Sequence, residues 1–68
     1  MNTCSVIGLG YIGLPTAVLI ANSGIKVIGV DINEKIIDLL NKGELHIIEP
    51  NLKEKVNKAF DSGNFKVQ

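Results

Sequence analysis

Three glycines, Gly8, Gly10 and Gly13, fall within six residues, between a short β-branched run (TCSVI, Thr3–Ile7) and an apolar stretch with helical spacing. Each glycine adds backbone freedom that folding must remove. A chain keeps three so close together where the backbone turns sharply and another group must approach it. In a strand-turn-helix setting Gly8 permits the tight turn, Gly10 lets the main chain approach a diphosphate, and Gly13 lets the helix lie close to the strand. The N–H groups that open the helix, around Tyr11 and Ile12, would then face the phosphates, where unpaired donors and the helix dipole both favour an anion.

The rest of the 68 residues supplies that setting. The spacing predicts a buried strand over Thr3–Ile7, then a helix over about 11–22 carried by Ile12, Thr16, Leu19 and Ile20 and stopped by Ser23 and Gly24. Pro15 falls within the first turn of that helix, where few amides have an acceptor to lose. Lys26–Val30 (KVIGV) predicts a second buried strand ending at Asp31. Asn33 is the expected N-cap of a helix over about 34–41, with Ile36, Ile37, Leu39 and Leu40 on one face and Gly43 as terminator. Residues 44–49 predict a loop or short extended piece. Pro50 is expected at a first helical position, ahead of Leu52, Val56, Ala59 and Phe60, with Gly63 ending the helix and Phe65–Val67 opening a third strand. Phe60 and Phe65 are expected in the core. The order is β-α-β-α-α-β, an α/β pattern that predicts a partial Rossmann fold: the first half of a doubly wound parallel sheet.

Asp31 closes the second strand at roughly the interval at which a dinucleotide site places its ribose-binding acid. A carboxylate there accepts hydrogen bonds from both adenosine ribose hydroxyls, whereas a 2′-phosphate would face it as a like charge. At 4 Å and an effective dielectric near 20, that repulsion is about 4 kcal/mol. The expected cofactor is therefore NAD, not NADP, held by Gly8, Gly10, Tyr11, Ile12, Gly13 and Asp31. Ile32 is expected either as an apolar wall for adenine or in the core, and Lys35 as a solvated helix residue. Seven basic and seven acidic residues cancel and are interspersed, which argues against nucleic acid as a partner. No apolar run of about 18 residues and no basic, apolar leader are present, and the one cysteine, Cys4, has no internal partner. These features predict a soluble cytoplasmic chain with no membrane partner. A single histidine, His46, makes neither a metal site nor a triad; it is expected to pack in a loop. Glu49 is expected to assist the neighbouring helix start.

The stretches VIGLGYIGLPTA, GVDIN and GELHIIEPNL, in this order and spacing, resemble the start of the cofactor domain of the UDP-glucose/GDP-mannose dehydrogenase family over essentially the whole chain. Tyr11, the pair Leu14 and Pro15, and Ile48-Glu49-Pro50 make the resemblance specific. His46 with Pro15 tilts it toward the branch that acts on UDP-N-acetyl-D-mannosamine. Asn51 departs from the Glu-Pro-Gly-Leu more usual in the UDP-glucose branch, and Ile36 stands where many members carry Lys or Arg. The resemblance implies that residues 1–68 are the N-terminal half of an NAD-binding domain. It also implies a parent enzyme of polysaccharide biosynthesis that oxidises the C6 hydroxyl of a UDP-sugar to a carboxylate in two NAD-dependent steps. The family's nucleophilic cysteine lies downstream of these residues, so no catalytic residue is assigned here, and Cys4 is expected to pack without exposure. The expected activity of the chain alone is nil. In the complete fold the strand order is 3-2-1-4-5-6, so without the fourth strand the first has a free edge, and a homo-oligomer formed there is expected. The alternative is a free-standing, non-catalytic nucleotide-binding or assembly module; a Rossmann piece of another dehydrogenase, such as a hydroxyacyl-CoA enzyme, is a third.

Overall fold

The computed structural model describes residues 3–68. β1 (Thr3–Ile7) is followed by α1 (Gly13–Asn22), β2 (Lys26–Val30), α2 (Glu34–Asn41), α3 (Leu52–Asp61) and β3 (Phe65–Val67). The strands form one parallel sheet in the order β1-β2-β3. This is the β-α-β-α-α-β arrangement expected from the residues, with the first strand at one edge.

Register decides which side chains share a face. Cys4 pairs with Val27, which pairs with Phe65; Val6 pairs with Gly29, which pairs with Val67. These residues face α1 and α3, and Val27 and Phe65 are buried among Leu14, Ala17, Val18, Ala21, Val56 and Ala59. Asn22 of α1 fastens the two helices together by donating from Nδ2 to the Lys55 carbonyl at 3.1 Å. On the alternate face Thr3, Ser5, Ile7, Lys26 and Lys66 are exposed, and Ile28 and Val30 are half-buried. A parallel sheet is ordinarily covered on both faces; among the described residues only one face is.

That arrangement corrects the reading of Thr3–Ile7 as a buried strand. β1 alternates exposed and half-buried residues, and Cys4 is half-buried, not shielded from solvent. The cause is its place at an edge with one face bare. The buried face of α1 also differs from expectation: Leu14, Ala17, Val18 and Ala21 are buried, whereas Ile12, Thr16 and Leu19 are exposed and Ile20 is half-buried. A helix apolar on every side carries little information about which side faces inward. The helix starts at Gly13, two residues later than predicted, which makes Pro15 its third residue. α2 buries only Leu40, with Ile36, Ile37 and Leu39 half-buried. Phe65 is buried, and Phe60 packs half-buried against it with ring centroids 4.9 Å apart.

Pro50 is not the first helical residue. The Leu52 N–H donates to the Glu49 carbonyl at 3.3 Å, and Asn51 has φ 66° and ψ −2°. These are the dihedrals of the third position of a type II turn, with Pro50 at the second, where its fixed φ belongs. The departure at Asn51 from the more usual glycine thus falls where the backbone requires a left-handed residue, and asparagine is the best side-chain-bearing substitute.

Candidate dinucleotide site

The end of β1 is joined to β2 by the Gly8 N–H, which donates to the Val30 carbonyl at 2.7 Å. Gly8 then turns the chain with φ +90°, a conformation that side-chain-bearing residues rarely adopt. Gly13 is required for a different reason: a Cβ there would lie 1.7 Å from the Gly8 carbonyl oxygen. The helix therefore begins in direct contact with the turn. Gly10 has neither constraint. Its φ is not left-handed, and a Cβ built on it meets nothing within 4 Å. Nothing within the described fold demands glycine at this position, so the space beside it is open to a ligand.

The amides next to that space make no hydrogen bond within the described fold. Among the described residues, no acceptor is found for the N–H groups of Gly10, Tyr11, Ile12 or Gly13; the first bonds of the ladder run from Leu14 to the Gly10 carbonyl (3.1 Å) and from Thr16 to the Ile12 carbonyl (3.2 Å). α1 has no side-chain N-cap and no acidic residue in its first turn. α2, by contrast, is capped by Asn33, whose side chain accepts from the Lys35 N–H at 3.0 Å, and carries Glu34. The positive end of α1 is thus left for an external anion. The side chains of Tyr11 and Ile12 are exposed, so what these residues offer inward is main chain.

Asp31 is half-buried at the end of β2. Its Oδ2 accepts from the Leu9 N–H at 2.9 Å and its Oδ1 from the Asn33 N–H at 2.8 Å. Those two bonds, the one from Leu9 foremost, hold its carboxyl below the usual carboxylate range, helped by the nearby His46 and opposed by partial burial. An ionised carboxylate has about four acceptor positions, so each oxygen keeps capacity for a hydroxyl donor. Asp31 also lines a cavity of 560 Å³ with Ile32, Glu34, Ile37, Asp38 and Gln68. Glu34 and Asp38 bring two further carboxylates to that cavity. Ile32 is fully exposed, which removes the core role considered for it and leaves its side chain beside this cavity. Lys35 is exposed. A separate groove of 420 Å³ between α1 and α3, bordered by Pro15, Asn22, Pro50 and Lys55, includes none of the residues of the glycine turn and not Asp31.

The glycine turn and Asp31 therefore come together, joined through Leu9. This residue, one of the variable positions of the motif, is completely buried, and its side chain lies over Gly29, where a Cβ would sit 2.9 Å from Leu9 Cδ2. His46 also reaches it: Nε2 donates to the Leu9 carbonyl at 2.6 Å. Spacing along the chain points to neither role, because both depend on partners distant in sequence. Their only trace is that Leu9 is apolar inside a glycine loop and that His46 is the single histidine.

The chain is similar to known proteins over nearly its whole length. The family model described as "UDP-glucose/GDP-mannose dehydrogenase family, NAD binding domain" matches residues 2–68. The chain is 55% identical over 65 residues to a UDP-N-acetyl-D-mannosamine dehydrogenase of Campylobacter jejuni, covering 96% of this chain and 16% of that protein. It is 56% identical over 61 residues to the enzyme of the same name from Escherichia coli strain K12, covering 90% and 14%. The UDP-N-acetyl-mannosamine dehydrogenase Cap5O of Staphylococcus aureus superposes with a TM-score of 0.96 at 46% identity, over 98% of this chain and 16% of that one. The chain thus spans about a sixth of the length of these relatives.

Proposed function

This chain belongs to the UDP-glucose/GDP-mannose dehydrogenase family, and we propose that residues 1–68 form the N-terminal half of its NAD-binding domain, the half that holds the ADP portion of the cofactor. The Gly10, Tyr11, Ile12 and Gly13 amides receive the diphosphate at the uncapped end of α1. Gly8 sets the turn that exposes them. Asp31 takes the ribose hydroxyls on the acceptor positions that Leu9 and Asn33 leave free, and with Glu34 and Asp38 it opposes a 2′-phosphate. When bound, NAD supplies the acceptor for a hydride. The parent activity we propose is the two-step oxidation of the C6 hydroxyl of a UDP-sugar, UDP-N-acetyl-D-mannosamine by likeness to the enzymes above. Its nucleotide-linked uronic acid product is suited to polysaccharide assembly in the cytoplasm, a reducing setting in which the free thiol of Cys4 is stable.

The observation that carries this reading is the open space at Gly10, a glycine for which the fold itself has no use. Nuclear magnetic resonance titration of the 15N-labelled chain tests it. NAD is expected to shift the Gly10 to Gly13 amides at lower concentration than NADP. Gly10→Ala is expected to keep the folded spectrum and thermal midpoint yet weaken NAD binding at least about tenfold, or about 1.4 kcal/mol. Gly13→Ala, by contrast, should destabilise the fold itself, because its Cβ collides with the Gly8 carbonyl. Wild-type amides indifferent to NAD would refute the proposal.

A second reading rests on its own observation, the edge of β1 that no strand among the described residues pairs with. We infer that a second copy of the chain pairs there, so that the piece also acts as an assembly module.

A further inference from the structure

Leu9 is fixed at every group it possesses. Its N–H donates to Asp31 Oδ2 (2.9 Å), its carbonyl accepts from His46 Nε2 (2.6 Å), and its buried side chain fills the notch above Gly29 beside Phe65. The second of these contacts has a directional consequence. The Leu9 carbonyl and the Gly10 N–H belong to one peptide unit, and no cis peptide occurs among the described residues. In a planar trans peptide the C=O and N–H point in opposite directions. A hydrogen bond that draws the Leu9 oxygen toward His46 therefore turns the Gly10 hydrogen away from it. That hydrogen is one of the four without an acceptor, on the residue whose missing Cβ leaves open space.

A carbonyl is solely an acceptor, so a hydrogen must sit on Nε2; in the neutral ring that is the Nε2–H tautomer, with the lone pair on Nδ1. Nδ1 is buried and has no hydrogen-bond partner among the described residues, so the bond to Leu9 is the one hydrogen bond found for the ring there. His46 comes from the segment between α2 and α3, next to buried Ile47 and four residues before Pro50. Without the imidazole, the Leu9 carbonyl would lose the one side-chain donor found for it among the described residues, and with it the contact that orients the Leu9-Gly10 peptide.

We propose that His46 is a positioning residue of the dinucleotide site: it holds the Leu9 carbonyl so that the Gly10 N–H faces the diphosphate. The proposal rests on the NAD-binding reading above, and it adds a residue outside the glycine motif to the group that shapes the site. The effect belongs to the diphosphate and not to the ribose, since Asp31 reaches Leu9 through the other peptide.

Two variants and two ligands test it in the 15N-labelled chain. His46→Phe keeps the ring volume and removes the donor. His46→Gln returns an N–H donor at nearly the same distance from the backbone. The expected result for His46→Phe is an NAD and ADP affinity about tenfold weaker, adenosine binding unchanged within about twofold, and a displaced Gly10 amide resonance before any ligand is added. His46→Gln should restore NAD binding to within about threefold of wild type. Imidazole 15N shifts of the wild-type chain should report the Nε2–H tautomer with no nucleotide present. Equal NAD binding by wild type and His46→Phe would overturn the proposal, as would equal losses for ADP and adenosine, or an Nδ1–H tautomer. If His46→Phe fails to fold, a folded His46→Gln that binds NAD tenfold more weakly than wild type overturns it instead. A wild-type chain that ignores NAD altogether overturns the cofactor reading and this one with it, a pattern distinct from the others.

Discussion

Asp31 shows how one side chain serves both the fold and the site. Its carboxylate closes the gap between the glycine turn and the start of α2 by accepting from Leu9 and Asn33. Because those bonds favour the ionised form, its folded-state value lies below the unfolded one. Such a group contributes stability that is present above the unfolded value, about pH 4, and is lost as pH falls through the lowered folded value. Thermal unfolding followed by circular dichroism between pH 2 and 7 should therefore show an acid limb for wild type, and a shallower one for Asp31→Asn. An identical acid limb in the variant would mean that the carboxylate is not held as described. The position and type of Asp31 are legible in the sequence, as are the glycines. Its bond to the Leu9 amide is not, because the two residues meet only when β1 and β2 pair.

At the scale of the elements, the helix ends follow local chemistry closely. Asn33 caps α2 as its residue type predicts, and Gly24, Gly43 and Gly63 end three helices with positive φ. The turn before α3 is the exception that local reasoning misplaced. Pro50 satisfies the rule for a first helical residue and the rule for the second position of a type II turn equally well. Asn51 at φ 66° decides for the turn. Its side chain makes no capping hydrogen bond, so its value is conformational. Asn51→Ala should then cost about 1 kcal/mol in chemical denaturation, near the low end of the left-handed penalty for a side-chain-bearing residue. Asn51→Gly should cost nothing or stabilise slightly. If alanine is tolerated without loss, the left-handed turn is not what holds this connection. The side of α1 that faces inward is a second property absent from the local pattern, since Ile12 and Leu19 are as apolar as Leu14 and Val18 and only the position of the sheet separates them.

The described residues form one layer of helices on one face of a three-stranded sheet. Among them nothing covers the opposite face or pairs with the β1 edge. Thr3, Ser5 and Ile7 point from that bare face, and no charged residue lies within β1 to discourage pairing. An edge of this kind is a template for another strand. Analytical ultracentrifugation at high micromolar concentration should find self-association of the wild-type chain and a shift toward monomer for Ser5→Lys, which places a charge on the exposed strand. A wild-type chain that sediments only as monomer would remove the assembly reading while leaving the cofactor site untouched. No helix among the described residues is long and apolar enough to cross a membrane.

Local interactions are settled within a few residues, and the sequence alone therefore determined the order of strands and helices, the need for glycine at the turn, the cap of α2 and the acid that ends β2. Only the tertiary structure decided that β1 is half-exposed, which face of α1 is buried, and that Leu9 is clasped between Asp31 and His46. The clasp joins residues 22 and 37 positions apart in the chain. Its geometry exists only after the sheet has paired and the connection between α2 and α3 has been laid across the glycine turn.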